Sequence, residues 1–391
     1  MALLTACEAA SATTPATSTT PTPEATRGVP ATATTSIATV GATATSSTAE
    51  SATPNIVAAA NAFLATLDET QRSAVSFSYP SDQETATAVD FGGRVGEQFG
   101  ESVWSNYPTS DVIRPGLRLG DLTNAQRQAV LDLLAATLSQ QGYQKVLDIM
   151  NADQVLSDSG TNYASGTDNY VVGLFGSPSE SERWMLQFGG HHLGLNVTIQ
   201  GAAMTMAPTL TGCQPATYTS EGQTIRPLGG ETDTAFALIN ALDATQQAQA
   251  ILTYSVTDLV LGPGHDGQVL QPEGIPAASL NADQQGMLLD LVGEWVNILN
   301  DAAAQARMAD IEANLAETYF AWSGPTTPDN SIYFRITGPT LLIEFANQGA
   351  GGGSGGPGGG AQQNSVQAGG VNHIHTVYRD STNEYGTGLS S

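Results

Sequence analysis

Leu67-Asp68-Glu69-Thr70-Gln71 recurs as Leu242-Asp243-Ala244-Thr245-Gln246, and Leu122-Thr123-Asn124-Ala125-Gln126 recurs as Leu280-Asn281-Ala282-Asp283-Gln284. Each copy has an apolar residue, then Asp, Thr or Asn, then Gln three positions on. That is the spacing of a capping box, in which the cap side chain and the Gln satisfy backbone N–H groups left unpaired at a helix start. Apolar periodicity follows: Val130, Leu131, Leu134 and Leu138 make one helix face, and Leu288, Leu291, Val292, Trp295 and Leu299 its counterpart, continuing helical to about Glu317. Strand-like runs come next in both copies. Tyr170–Phe175 and Arg183–Phe188 lead to His191–Ile199; Tyr319–Trp322 and Ile332–Ile336 lead to Leu341–Phe345. The pattern predicts an α+β fold, internally duplicated as 55–215 and 230–391, each half with helices followed by an antiparallel β-meander. Short turns between the strands favour antiparallel pairing, since parallel strands need long crossovers. One sheet or two is left open.

Of five histidines, four fall in two clusters, His191-His192 and His373-Ile374-His375, each inside a strand-like run. Imidazole is the commonest metal ligand, and His-x-His on a strand aims two rings at one side. Aligning Gly190 with Gly338 sets His191-His192 opposite Pro339-Thr340 and Asn196 opposite Glu344. Strand alternation then groups His192 with Gly194, Asn196 and Thr198, and turns His191 toward Leu193, Leu195 and Val197. His192 is therefore the better ligand, and His191 packs in a core or fixes a neighbour, unless a bulge after Gly189-Gly190 brings both inward. His373 and His375 share a face with Val371 and Val377. Glu344 stands in an otherwise apolar strand, so it lies on a solvated face or meets something cationic. A centre of His192, His373, His375 and Glu344 suits zinc, copper, iron or manganese and is too nitrogen-rich for calcium or magnesium. The alternative is strand histidines in a polar network. His265 reads as an exposed turn residue, and Arg379-Asp380 as a salt-bridged turn or a clamp for a substrate carboxylate.

Net charge is -25, from 37 acidic and 12 basic residues, and the only lysine is Lys145. Like-charge repulsion opposes binding to nucleic acid or anionic headgroups. Leu4-Thr5-Ala6-Cys7 looks like a lipobox whose cysteine accepts lipid, within a signal of which residues 1–7 are a truncated part. Residues 8–54 are Ser, Thr, Ala and Pro with little charge, the composition of a disordered stalk. This series places the protein outside the cytoplasm, on the bacterial cell envelope, with membrane contact only through the lipid. Cys213 reads as a partly buried loop residue. The glycine tract 349–360 is flexible coil: a surface insertion or a flap over a site. Phosphate-cradling loops and HExxH motifs are absent from the sequence.

The runs Leu119-Gly-Asp-Leu-Thr-Asn-Ala-Gln-Arg127, Gly189-Gly-His-His-Leu-Gly-Leu-Asn196 and Asn372-His-Ile-His-Thr-Val-Tyr-Arg-Asp380, with a closing Ser381-Thr-Asn-Glu-Tyr-Gly386, resemble a bacterial family catalogued as domain of unknown function 3500. The resemblance covers Phe63 to Gly386. Ser381 and Glu384 stand where members often have Pro and Asp, and the glycine insertion is atypical. The resemblance implies an extracytoplasmic, often lipidated group with the HH and HxH positions as hallmark and no assigned activity.

The first functional reading is therefore an extracytoplasmic lipoprotein with one transition-metal centre; as an enzyme it would be a metal-dependent hydrolase acting on an unidentified small molecule, in preference to copper or iron redox chemistry. His192, His373 and His375 would be ligands, Glu344 a fourth ligand or general base, and Asn196 a substrate-orienting group. The alternative is a non-catalytic surface module that binds a metal, a ligand or a partner protein. A purely structural envelope protein is a third reading.

Overall fold

The computed structural model describes residues 52–81, 84–349 and 371–389. The lipobox with Cys7, the stalk up to residue 51 and the glycine tract from 350 lie outside the described residues. Residues 52–54, assigned above to the stalk, already belong to the first helix or its cap, with Pro54 in the opening turn, where a missing N–H costs nothing.

Eight α-helices are described: α1 (Thr53–Ala65), α2 (Glu69–Val75), α3 (Asn124–Thr137), α4 (Gln140–Asp158), α5 (Gly229–Ala241), α6 (Ala244–Ala250), α7 (Ala282–Val296) and α8 (Asp301–Ala313). All four capping boxes form, at the starts of α2, α3, α6 and α7. Each such cap contributes about 1 kcal/mol. The capping glutamines also meet in pairs: Gln126 donates to Gln71 at 2.9 Å, and Gln284 to Gln246 at 2.8 Å. The helix expected to run unbroken to Glu317 instead stops at Val296. Asn300 caps α8 by accepting from Ala303 N, and the chain between forms an antiparallel bridge, Leu299 to Leu138.

Eight long strands build the sheet: β1 (Val171–Phe175), β2 (Trp184–Gly190), β3 (Leu193–Gln200), β4 (Thr209–Cys213), β5 (Tyr319–Ser323), β6 (Tyr333–Gly338), β7 (Leu341–Gly349) and β8 (Val371–Arg379). Their spatial order is β1-β2-β3-β4-β8-β7-β6-β5, one continuous sheet joined by the antiparallel β4–β8 pair at its centre. Four short strands complete twelve, and one of them, Ser76–Phe77, runs parallel to β1, so the sheet is mixed rather than purely antiparallel. Cys213 ends β4 and is fully buried, not in a loop; burial pushes its thiol well up from the usual range.

Both sheet faces are covered, which is why the strands read as near-continuous apolar runs. On one side Leu174, Leu186, Phe188, Leu195, Val197, Phe334, Ile343, Ile374 and Tyr378 join a core with the helices, and Trp295 of α7 donates to Thr376 of β8 at 2.9 Å. On the other side Leu210 and Val377 pack with Phe99, Trp104 and Tyr385. There the covering layer consists of two long connections: residues 78–116, which carry a three-stranded sheet, and residues 252–274. They hold the site.

Candidate metal centre

His191 and His192 are not strand residues. Gly190 pairs with Leu193, so the two histidines form the two-residue loop of the β2–β3 hairpin. The strand-face grouping of His192 with Asn196 therefore does not apply. His192 has φ +62°, a left-handed conformation that costs a non-glycine residue on the order of 1 kcal/mol. Its N–H donates to Asn106 O at 3.4 Å, and its ring stacks on His191 at 3.7 Å between centroids. His191 is occupied in the opposite direction, with Nδ1 2.8 Å from Asp153 Oδ1 of α4 and its carbonyl accepting from the Tyr170 hydroxyl. It braces the loop rather than joining the cluster.

β8 delivers the other two rings. His373 and His375 alternate with Ile374 and Thr376, which face the helices, so both imidazoles point into the layer of long connections. Gly212 of β4 is the register partner of His375. A Cβ at Gly212 would lie 2.6 Å from Ile374 O and 3.4 Å from His192 Cβ, so only glycine lets β4 and the hairpin loop close on β8 here. The result is convergence from distant parts of the chain: His192 Nε2 is 2.7 Å from His373 Nε2, which is 2.8 Å from His375 Nε2.

Protons alone satisfy this arrangement poorly. His375 Nδ1 faces Asp258 Oδ1 at 2.9 Å; donating there, it leaves Nε2 with the lone pair. One imidazole N–H points in a single direction, so His373 cannot make aligned hydrogen bonds to both neighbours. His192 Nδ1, on the far side of its ring, is buried with no partner. Burial, reinforced by the neighbouring histidines, holds His192 and His373 well below the usual imidazole range, which keeps lone pairs available. A bound cation would accept three converging lone pairs at once. The three histidines form a group able to hold a metal ion. The carboxylate behind His375 is the outer partner that orients metal-bound imidazoles. Burial works to raise the Asp258 carboxyl, but the hydrogen bond and electrostatic attraction of His375, with the bonds from Leu259 N and Gln348, together outweigh it and leave it below its usual range.

The support around the rings comes from groups the sequence reading assigned elsewhere or passed over. Glu344 does not reach the histidines: it accepts from Tyr333 Oη at 2.5 Å, Val260 N at 2.9 Å and Leu261 N at 2.7 Å. These bonds tie Glu344 to the turn that follows Asp258 and leave it outside the group of three histidines. Burial raises its carboxyl, while those three donors oppose the rise. Asn196 is also spent, its amide bonded to Gln187 at 2.7 Å and to Pro208 O at 2.8 Å. Arg114, pushed down to about 9 by burial, donates to carbonyls of Ser105, Tyr107, Pro108, Val112 and Gly190, tying the 105–112 loop to the hairpin. Asn106 of that loop places Nδ2 2.9 Å from His375 Nε2.

Arg379 and Asp380 do not pair with each other. Arg379 is buried between Glu97 and Glu384, and Asp380 pairs with Arg307 at 3.1 Å. Glu97, Glu384 and Asp266 form a second carboxylate group, with the Arg379 guanidinium in its midst. His265 is half-buried rather than exposed, its Nδ1 3.0 Å from Gly262 O.

Residues 49–387 match the family described as protein of unknown function DUF3500, and the chain belongs to it. No curated protein and no solved structure matches. Among the described residues no helix is long and apolar enough to cross a membrane.

Proposed function

Starting from membership of a family without an assigned activity, we propose that this chain is a metalloprotein in which His192, His373 and His375 hold one transition-metal ion. The observation that carries the reading is the approach of three Nε2 atoms, two contacts of 2.7 and 2.8 Å, with a carboxylate behind one ring. An all-nitrogen set of this kind favours zinc or copper over harder ions, with iron and manganese next. Three histidine ligands leave a fourth position for a displaceable group, as in catalytic rather than structural zinc sites. A metal held there would supply a Lewis acid and would lower the pKa of a bound water to about 7, so the activity we favour is hydrolysis of a small molecule. The chain's own contribution is to hold the three imidazoles with their Nε2 atoms converging, through Asp258 and the Glu344-anchored turn on one side and the His191–Asp153 brace on the other.

We read the matching cap–helix–meander halves as one duplicated unit, with the centre built where the copies meet. The Leu4-Thr5-Ala6-Cys7 motif and the polar stretch after it support an extracytoplasmic, lipid-anchored protein. The test is metal analysis of untagged protein, expecting about one transition-metal ion per chain, lost in the His373→Ala/His375→Ala double variant. Turnover of ester, amide and phosphoester panels by the loaded form then divides hydrolase from metal-binding module. Metal-free protein that stays metal-free on loading would remove the proposal.

A further inference from the structure

Asn106 is held to the cluster by its backbone as well as its side chain. Its carbonyl accepts from His192 N, and Arg114 bonds the carbonyls on either side of it, at Ser105 and Tyr107. The amide head is thus placed by the same hairpin tip that carries His192. Its Nδ2 lies 2.9 Å from His375 Nε2, close to the 2.7 and 2.8 Å spacings among the rings. Its Oδ1 is buried and has no hydrogen-bond partner. A buried, unpaired amide oxygen beside three imidazoles wants a positive partner, because it has lost its water without gaining a hydrogen bond in return.

Binding a cation changes what this amide can do. The His375 lone pair that Nδ2 now faces is taken by the ion, so Nδ2 loses its acceptor. Rotating the amide by half a turn exchanges its two ends: the orphaned oxygen then faces the ion, and the nitrogen takes the place the oxygen leaves. We propose that Asn106 Oδ1 is the fourth ligand, so that the centre is three imidazole nitrogens and one carboxamide oxygen. This rests on the three-histidine reading and adds to it. The added ligand is neutral, so it leaves the positive charge of the ion undiminished, unlike a carboxylate at the same place. It is also a weaker donor than imidazole toward the ions that suit this site. Asn106 therefore marks the coordination position at which an oxygen of the substrate enters by displacing the amide.

The test uses the full untagged chain loaded with cobalt(II), comparing wild type with Asn106→Ala and Asn106→Asp. Affinity is read by chelator competition and coordination by the visible cobalt spectrum. The expected result is an altered spectrum and about tenfold or greater weakening for Asn106→Ala, at least the loss that outer-shell partners of metal ligands produce. Asn106→Asp, which keeps an oxygen there, should retain binding with its own shifted spectrum. Identical spectra and affinities in all three proteins would overturn the role of Asn106 while leaving the histidine centre standing. Wild type that takes up no cobalt would overturn both. If Asn106→Ala does not fold, Asn106→Asp decides alone, since an unchanged spectrum there is incompatible with an oxygen ligand.

Discussion

Replacing Asp258 by alanine should weaken metal binding without unfolding the protein. The carboxylate lies 2.9 Å from His375 Nδ1, and its side chain is 35 % exposed. It belongs to the 252–274 connection, which Glu344 anchors independently through Val260 N and Leu261 N. The turn therefore keeps its attachment when Asp258 is removed, and a partly exposed pair contributes about 1 kcal/mol or less to folding. The effect on the metal is larger, because the carboxylate fixes the proton on Nδ1, directs Nε2 inward and makes it a better donor. Outer partners of this kind are worth 10–100-fold in affinity, about 1.4–2.7 kcal/mol. Asp258→Asn keeps an acceptor and loses the charge, so it should fall nearer the lower end. Competition against a chromophoric chelator measures both variants, with urea denaturation as the folding control. Affinities within twofold of wild type in both would refute the claim that His375 ligates with Asp258 behind it.

Two further predictions concern the buried charges. Lys145 donates to Glu231 Oε1 at 2.5 Å and to Glu294 O at 2.8 Å, and Glu231 is fully buried. Lys145→Met should cost about 3–5 kcal/mol in chemical denaturation, because it strands that carboxylate, and a loss under about 1 kcal/mol would contradict the assignment. Glu384 is pushed up to about 9, mainly by burial, with Arg379 opposing and Asp266 and Glu97 adding to the rise. Since its folded pKa exceeds the usual carboxyl value, its contribution to stability is fully present below about pH 4.5 and lost as pH rises toward 9. Denaturation at a series of pH values should show that decline, and Glu384→Gln should flatten it; an equal slope in the variant would count against the shift.

The parts of this fold written in local pattern were legible. Each capping box needs only residues three apart, and all four formed. The pairing of His373 with His375 followed from strand alternation alone. The hairpin loop was harder to see, because Gly189-Gly190-His191-His192-Leu193 has no Asn-Gly or Asp-Gly signal and is flanked by strand-forming residues. Helix α4 was hidden by the buried polar Lys145 and Asp153 within its apolar face. Asp258 and Asn106 reach the site from long irregular connections, where no periodicity predicts direction. Glu344 shows the limit most sharply. Its sequence environment demanded a partner, and the structure supplies a tyrosine hydroxyl and two backbone N–H groups instead of a metal. A carboxylate in an apolar strand announces that something meets it, but not what.

Anomalous diffraction from crystals of untagged, metal-loaded protein tests the central claim most directly. The account predicts one strong peak about 2 Å from Nε2 of His192, His373 and His375. A peak confined to Glu97, Asp266 and Glu384, or no peak between the imidazoles at full metal loading, would contradict it.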